Sequence, residues 1–227
     1  MRAAIHQPQY LPWLGYFDKM DQSDIFVLLD DVQYKKNEWQ NRNRIRTPDG
    51  WQWLTVPVIY KFGQLIKDIK IDKTRKWGEK HLKSISINYS KALYFDRYFP
   101  FFEESLGREW TYLMDINNHF IEYFRKELGI KAPVVLSSGM GIKTNKTQRL
   151  IDICKSLNAD VYLSGGGGAD YLEQEKFEEN NISLEFQNYI HPAYGQAYGG
   201  FCPYLSIADL LFCRGGDSIN VIREGRQ

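Results

Sequence analysis

The chain has 227 residues, 43% of them hydrophobic and 15% aromatic, enough for one packed domain and too much for a disordered chain. With 29 basic and 28 acidic residues the net charge is +1, which gives no support to a dedicated nucleic-acid binder. Cys154, Cys202 and Cys213 are odd in number and lack the C-x-x-C spacing of a zinc site or a disulfide framework, no stretch approaches the roughly 18 apolar residues of a membrane span, and Met1–His6 lacks the apolar run of a signal peptide, so a cytoplasmic protein without membrane insertion is expected.

Ala3–His6 is a short apolar run followed by Pro8 and Pro12, the pattern of a buried strand ending in a loop. Trp13, Tyr16, Phe17 and Met20 recur at helical spacing, predicting a helix over Trp13–Asp21. Ile25–Leu29 is uninterrupted and apolar, as in parallel strands covered on both faces, and it runs into Asp30-Asp31. Strand, loop, helix and strand in that order make a βαβ unit. Pro48-Asp49-Gly50 supplies turn chemistry between Asn43–Arg46 and Gln52–Val58, predicting a hairpin, and Leu65–Ile71 alternates like a further strand.

From Lys76 to Gly129 the pattern turns helical, with apolar stripes at Phe95, Tyr98, Phe99 and Phe102 and again at Leu113, Ile116, Phe120 and Phe124. This stretch, about 76–130, reads as a core-forming helical insertion. The α/β alternation then returns: a strand at Val134–Ser137, a helix at Thr147–Leu157, a strand at Val161–Ser164 leading into four glycines, a helix at Ala169–Asn180, a strand at Ser183–Gln187 and a last helix at Ser206–Cys213 stopped by Gly215-Gly216. The fold class that follows is α/β, a Rossmann-like parallel sheet with flanking helices, a β-hairpin excursion and a helical insertion, in a single domain over 1–227. Open parallel sheets bind ligands beyond the carboxyl ends of their strands, so His6–Trp13, Asp30-Asp31, Ser164–Gly168 and Gln187–His191 are expected to converge.

Four stretches carry candidate chemistry. In His6-Gln7-Pro8-Gln9-Tyr10-Leu11-Pro12-Trp13 two prolines stiffen a loop that presents an imidazole, two amides and two rings ahead of a helix N-terminus. Asp30 and Asp31 at a strand end suit a general base, with Gln33, Asn41 and Arg42 nearby in sequence for binding; the planar guanidinium of Arg42 fits a carboxylate or phosphate. Ser164-Gly165-Gly166-Gly167-Gly168, between a strand and a helix, lets backbone N–H groups approach a phosphate, although it matches neither the dinucleotide nor the Walker pattern. His191 and Tyr194 could bind substrate; Ser206 has the position of a helix cap, and a phosphate contact if that helix faces the crevice.

The stretches His6–Trp13, Asp30-Asp31-Val32-Gln33, Asn41-Arg42, Val161-Tyr162-Leu163-Ser164-Gly165 and Leu205-Ser206-Ile207-Ala208-Asp209-Leu210-Leu211 together resemble the WbqC-like family over nearly the whole chain. The resemblance implies a place in O-antigen or other polysaccharide biosynthesis, where a glycine-transferase role has been proposed, and hence modification of a nucleotide-linked amino sugar. The layout is also similar to nucleotidyltransferases carrying His-x-Gly-His after their first strand and two hydroxyls at their last helix; here His6 is present, the second histidine is missing, and Leu205-Ser206-Ile207 offers one serine. On these grounds the expected reaction is amide formation between glycine, or another small acyl group, and the amine of the sugar. In that scheme His6 and the Gly165–Gly168 turn hold phosphates, Arg42 holds the acyl carboxylate, and Asp30 or Asp31 takes the amine proton. Either ATP, through an acyl-adenylate, or an aminoacyl-tRNA supplies the activation. A non-catalytic sugar-nucleotide or glycan binder and a nucleotidyltransferase-like enzyme are the rivals.

Overall fold

The protein is described here by a computed structural model covering all residues from Met1 to Gln227. Its centre is a five-stranded, all-parallel sheet. β1 (Arg2–His6) and β2 (Ile25–Leu28) flank α1 (Leu14–Asp21) in sequence and pair directly, Ala3 opposite Ile25 through His6 opposite Leu28. β7 (Val134–Leu136), β8 (Val161–Ser164) and β9 (Ser183–Phe186) complete the spatial order β7-β2-β1-β8-β9. The chain therefore leaves β1 toward β2 and later passes back across to place β8 on the other side of β1. The strand order reverses between β1 and β8, and a crevice opens where loops part in opposite directions.

Two excursions separate β2 from β7. The first is a hairpin of β3 (Arg42–Thr47) and β4 (Gly50–Thr55), with a small ladder of β5 (Val58–Ile59) and β6 (Lys70–Ile71) beside it. Gly50, at φ 125°, adopts the left-handed backbone that the Pro-Asp-Gly turn foreshadows. The second is helical: α2 (Trp77–Tyr89), α3 (Phe95–Gly107) and α4 (Leu113–Glu127). α5 (Lys146–Ser156), α6 (Gln174–Glu179), α7 (Ile207–Arg214) and α8 (Ser218–Glu224) follow.

The central strands, apolar between their ends, are covered on both faces, as their composition requires. Ala4, Phe26, Leu28 and Leu163 face a core of 39 buried residues shared with α1, α2–α4 and α7, whereas Ala3, Ile5, Val27 and Tyr162 face one of 11 under α5 and α6. The imbalance shows what the helical stretch does: Phe102, Phe120 and Phe124 pack with Phe17 and Phe212 in the larger core, so α2–α4 form one layer of the domain.

The expected elements differ in three places. Leu65–Ile71 is a 3-10 turn at Ile66–Asp68 followed by the two residues of β6, because its alternation reflects burial of Ile66, Ile69 and Ile71 and not a long ladder. The helix expected over Ala169–Asn180 shrinks to α6, preceded by a 3-10 turn at Gly166–Asp170. α8, seven residues at the C-terminal end, is an addition to the expected elements.

Candidate functional site

At the carboxyl ends of β1, β2 and β8 lies an open cleft of about 830 Å³. β1 delivers Ile5 and His6, and the proline-stiffened loop beyond it delivers Gln7 and Gln9. β8 delivers Ser164 and the following turn Gly165, Gly167 and Gly168. Lys19 comes from α1, Arg149 and Lys146 from α5, and Lys35, Glu38 and Trp39 from the segment leading into β3. Six of the expected site residues, His6, Gln7, Gln9, Ser164, Gly165 and Gly167, thus meet in one place.

The ionisable lining is cationic: Lys19, Lys35, Lys146 and Arg149 face one acid, Glu38. Lys19 is 2% exposed and donates from Nζ to the Ile5 carbonyl at 2.9 Å; burial drives its amine down from 10.5 to about 7. His6 is half-buried, with its ring against Tyr16 at 4.8 Å between centroids. Burial first, and the Lys19 amine second, pull its imidazole down from 6.5 to about 3, so it is neutral at physiological pH. His6 Nδ1 lies 3.0 Å from the Gln7 carbonyl, an oxygen that can only accept, so Nδ1 carries the proton and Nε2 keeps a lone pair.

The acids at the end of β2 are not available as bases. Asp30 is 1% exposed and accepts from Ser137 Oγ (3.1 Å), Ser138 N (2.9 Å) and Ser138 Oγ (2.7 Å). Asp31 accepts from Ser137 Oγ and forms an ion pair with Arg149. The expectation of a free carboxylate at the strand tip is therefore corrected: Asp30 ties β2 to the start of the loop after β7, and Asp31 aims Arg149. The strand ends bring these groups together, and a buried carboxylate without partners would be too costly to keep.

Several expected binding residues are placed elsewhere. Tyr10 is fully buried, its hydroxyl hydrogen-bonded with His81 Nδ1 at 2.9 Å. Asn41 is buried, donating to the Val56 carbonyl at 2.9 Å, and Arg42 lies 4.2 Å over the Trp53 ring with a guanidinium bond to the Asn37 carbonyl. Gln33 is exposed on an isolated bridge to Leu65. Trp13 and His191 stack, 6.2 Å between ring centroids, in an aromatic cluster with Tyr189 and Tyr204 outside the cleft lining. Tyr194 is buried and donates to Asp209 at 2.8 Å. Ser206 is buried and caps α7, accepting from Ala208 N at 3.2 Å, so its hydroxyl is not offered to a phosphate. Gly166 is exposed on the glycine turn but outside the cleft lining.

The residues that sequence reasoning passed over are Lys19, Arg149, Lys146, Glu38 and Trp39. Lys19 left one visible signal: it stands three residues after Tyr16, on the apolar face of α1, where a cation is out of place without a purpose. Arg149 and Lys146 reach the cleft from a helix more than a hundred residues away, and nothing local marks them.

The model of the WbqC-like protein family matches residues 7–221. The uncharacterized protein Rv1507c of Mycobacterium tuberculosis (strain ATCC 25618 / H37Rv) is 36% identical over 233 residues, which cover 100% of this chain and 99% of its own. No solved structure matches.

Proposed function

The chain belongs to the WbqC-like protein family, and on that footing we propose that it joins glycine, or another small acyl group, to the amine of a nucleotide-linked amino sugar destined for O-antigen or another polysaccharide. The observation that carries this reading is the cleft of about 830 Å³ at the switch point of the sheet, where four basic side chains face one acid around a neutral imidazole. A cavity of that size accommodates a drug-sized or larger ligand, and a cationic lining favours a phosphate-bearing one.

Amide formation needs three things of the protein: the two reactants held together, the charge on departing oxygen stabilised, and one proton removed. Lys146, Arg149 and the exposed glycine turn suit the phosphates. The acyl group arrives activated, by ATP or by an aminoacyl-tRNA. The amine nitrogen attacks the acyl carbon, the C–N bond forms, and the bond to the leaving oxygen breaks with its electron pair going to that oxygen. His6 Nε2, the lone-pair nitrogen, takes the amine proton. An anionic ligand beside His6 raises its basicity from the low value of the free cleft. Lys19, whose amine titrates near neutrality, opposes charge build-up on His6 while protonated and ceases to do so once it loses its proton.

One observation favours a second reading, a non-catalytic sugar-nucleotide binder: both strand-end carboxylates are fully engaged, which leaves the imidazole as the principal base. A single assay separates the two. Purified protein is incubated with amino-sugar nucleotides and either ATP plus glycine or glycyl-tRNA, and mass spectrometry follows the sugar nucleotide. An added glycyl mass is expected. Saturable binding without product under either donor leaves the binder, and pyrophosphate release without glycine transfer points to nucleotidyl transfer.

A further inference from the structure

Beside the large cleft, and sharing Gln7, Gln9, Lys35, Glu38 and Trp39 with it, lies a smaller recess of about 130 Å³ closed by Gln40. Its amides have fixed polarity. Gln40 is 2% exposed, and its Oε1 accepts from the Lys35 backbone N–H at 3.0 Å, so its Nε2 must face the other way. That Nε2 donates to Gln7 Oε1 at 2.7 Å, which in turn leaves Gln7 Nε2 as a donor with no protein partner. Gln9 is 8% exposed, and its Oε1 is a buried acceptor with nothing to accept from. Buried polar atoms are seldom left unpaired, and in a cleft such an atom points to a ligand. Trp39, 37% exposed, forms an apolar wall and is braced from behind by Trp53 at 5.4 Å and the Arg44 guanidinium at 5.5 Å.

We propose that this recess is the seat of a single hexose ring carrying a free amine, with Trp39 against the ring's apolar face, Gln7 Nε2 and Gln9 Oε1 on neighbouring hydroxyls, and Glu38 on the ammonium. One donor, one acceptor and a carboxylate around an indole match the alternating donors, acceptors and C–H face of an amino sugar. They do not match a nucleobase plane, and with Lys35 balancing the Glu38 carboxylate in the lining the recess carries no net charge to draw a phosphate. The assignment rests on the transferase reading only for the identity of the attached nucleotide, and it adds the orientation: the sugar lies at the Gln7–Trp39 end and the phosphates at the Lys146–Arg149 end.

The test measures affinity by tryptophan fluorescence and calorimetry, using the full chain and three uridine-diphosphate hexoses that differ only in bearing a free amine, an N-acetyl amine or a hydroxyl, with uridine diphosphate as the fourth probe. The free amine is expected to bind at least about ten-fold tighter than its two analogues. Glu38→Gln removes that preference and leaves uridine diphosphate unchanged, Gln9→Leu weakens every hexose, and Trp39→Ala removes the fluorescence change. Glu38 and Trp39 are exposed, so folding is not at stake, and equal thermal midpoints verify it. Uridine diphosphate binding as tightly as the amino hexose, or Glu38→Gln keeping the preference, overturns the assignment. If the predicted preference appears without product under any donor, the recess stands and the transferase falls. If product forms with unchanged KM in Glu38→Gln and Trp39→Ala, the recess falls and the transferase stands.

Discussion

At the scale of single residues, the cleft holds two nitrogen bases whose protons are displaced by burial in ways that can be measured. The folded chain keeps His6 neutral down to about 3 and His81 down to about 4, whereas in the unfolded chain both take a proton near 6.5. Between those values the unfolded state binds more protons, so stability falls as pH falls from 6.5 toward 4. Urea midpoints measured across that window are expected to decline, and His6→Gln to flatten part of the decline. Lys19 titrates at about 7 in the fold and 10.5 outside it, so between those values the unfolded chain again holds the extra proton and stability rises with pH. Lys19→Met is expected to remove that rise and to stabilise the protein at pH 7 by about 1–3 kcal/mol. It should also raise the His6 pKa, read by NMR, because the cation that helps depress it is gone. If the proposed transfer holds, His6→Ala is expected to abolish product formation while shifting the thermal midpoint by only a few degrees; a collapse of the midpoint would make the residue structural.

At the scale of elements, the polar groups that resemble catalysts in the sequence are the ones that tie strands and helices together. Asp30 accepts three hydrogen bonds from Ser137 and Ser138 and thereby joins β2 to the end of β7. Asp30→Ala is expected to lower stability by about 1–3 kcal/mol in denaturant titrations, leaving the Ser138 hydroxyl and amide without their acceptor while Ser137 keeps Asp31. Asp18, fully buried in α1, accepts from Gln22, Gln187 and Arg226, which fastens α1 to the loop after β9 and to the residues following α8. The glycine turn has a steric task besides any binding one: a Cβ on Gly168 would meet Ser164 Oγ at 2.1 Å. Gly168→Ala is expected to cost about 1–3 kcal/mol, measurable as a lower thermal midpoint, whereas a Cβ at Gly167 meets nothing within 4 Å and that position should tolerate alanine.

At the scale of the whole molecule, a chain of net charge +1 sets the exposed Lys35 and Lys146 beside the buried Lys19 and the Asp31-paired Arg149 at one opening, so its surface field is uneven although its total is near zero. Attraction between exposed charges is screened beyond about 8–10 Å at physiological salt, so affinity for sugar nucleotides is expected to drop several-fold as salt is raised tenfold. Arg149→Met should weaken binding and reduce that salt dependence together, which calorimetry at two ionic strengths would read. No helix is long and apolar enough to cross a membrane.

Sequence alone determined the layout: continuous apolar runs at Ile25–Leu28 and Val161–Leu163 specify strands buried on both faces, and a sheet of such strands places loops at one edge. It also determined that His6, Gln7, Gln9, Ser164 and the glycines would share that edge, because each ends a strand or lies just beyond one. Only the tertiary structure decided which polar groups are free. Asp30, Asp31 and Tyr10 spend their hydrogen-bonding capacity on Ser137, Ser138, Arg149 and His81, partners 71 to 118 positions away by residue number. Three of the cleft's four cations, Lys19, Lys146 and Arg149, likewise come from α1 and α5, helices whose side chains meet only because the strand order reverses between β1 and β8. A hydrogen bond is a matter of distance in space, and spacing along the chain carries no record of a partner brought in by a crossover.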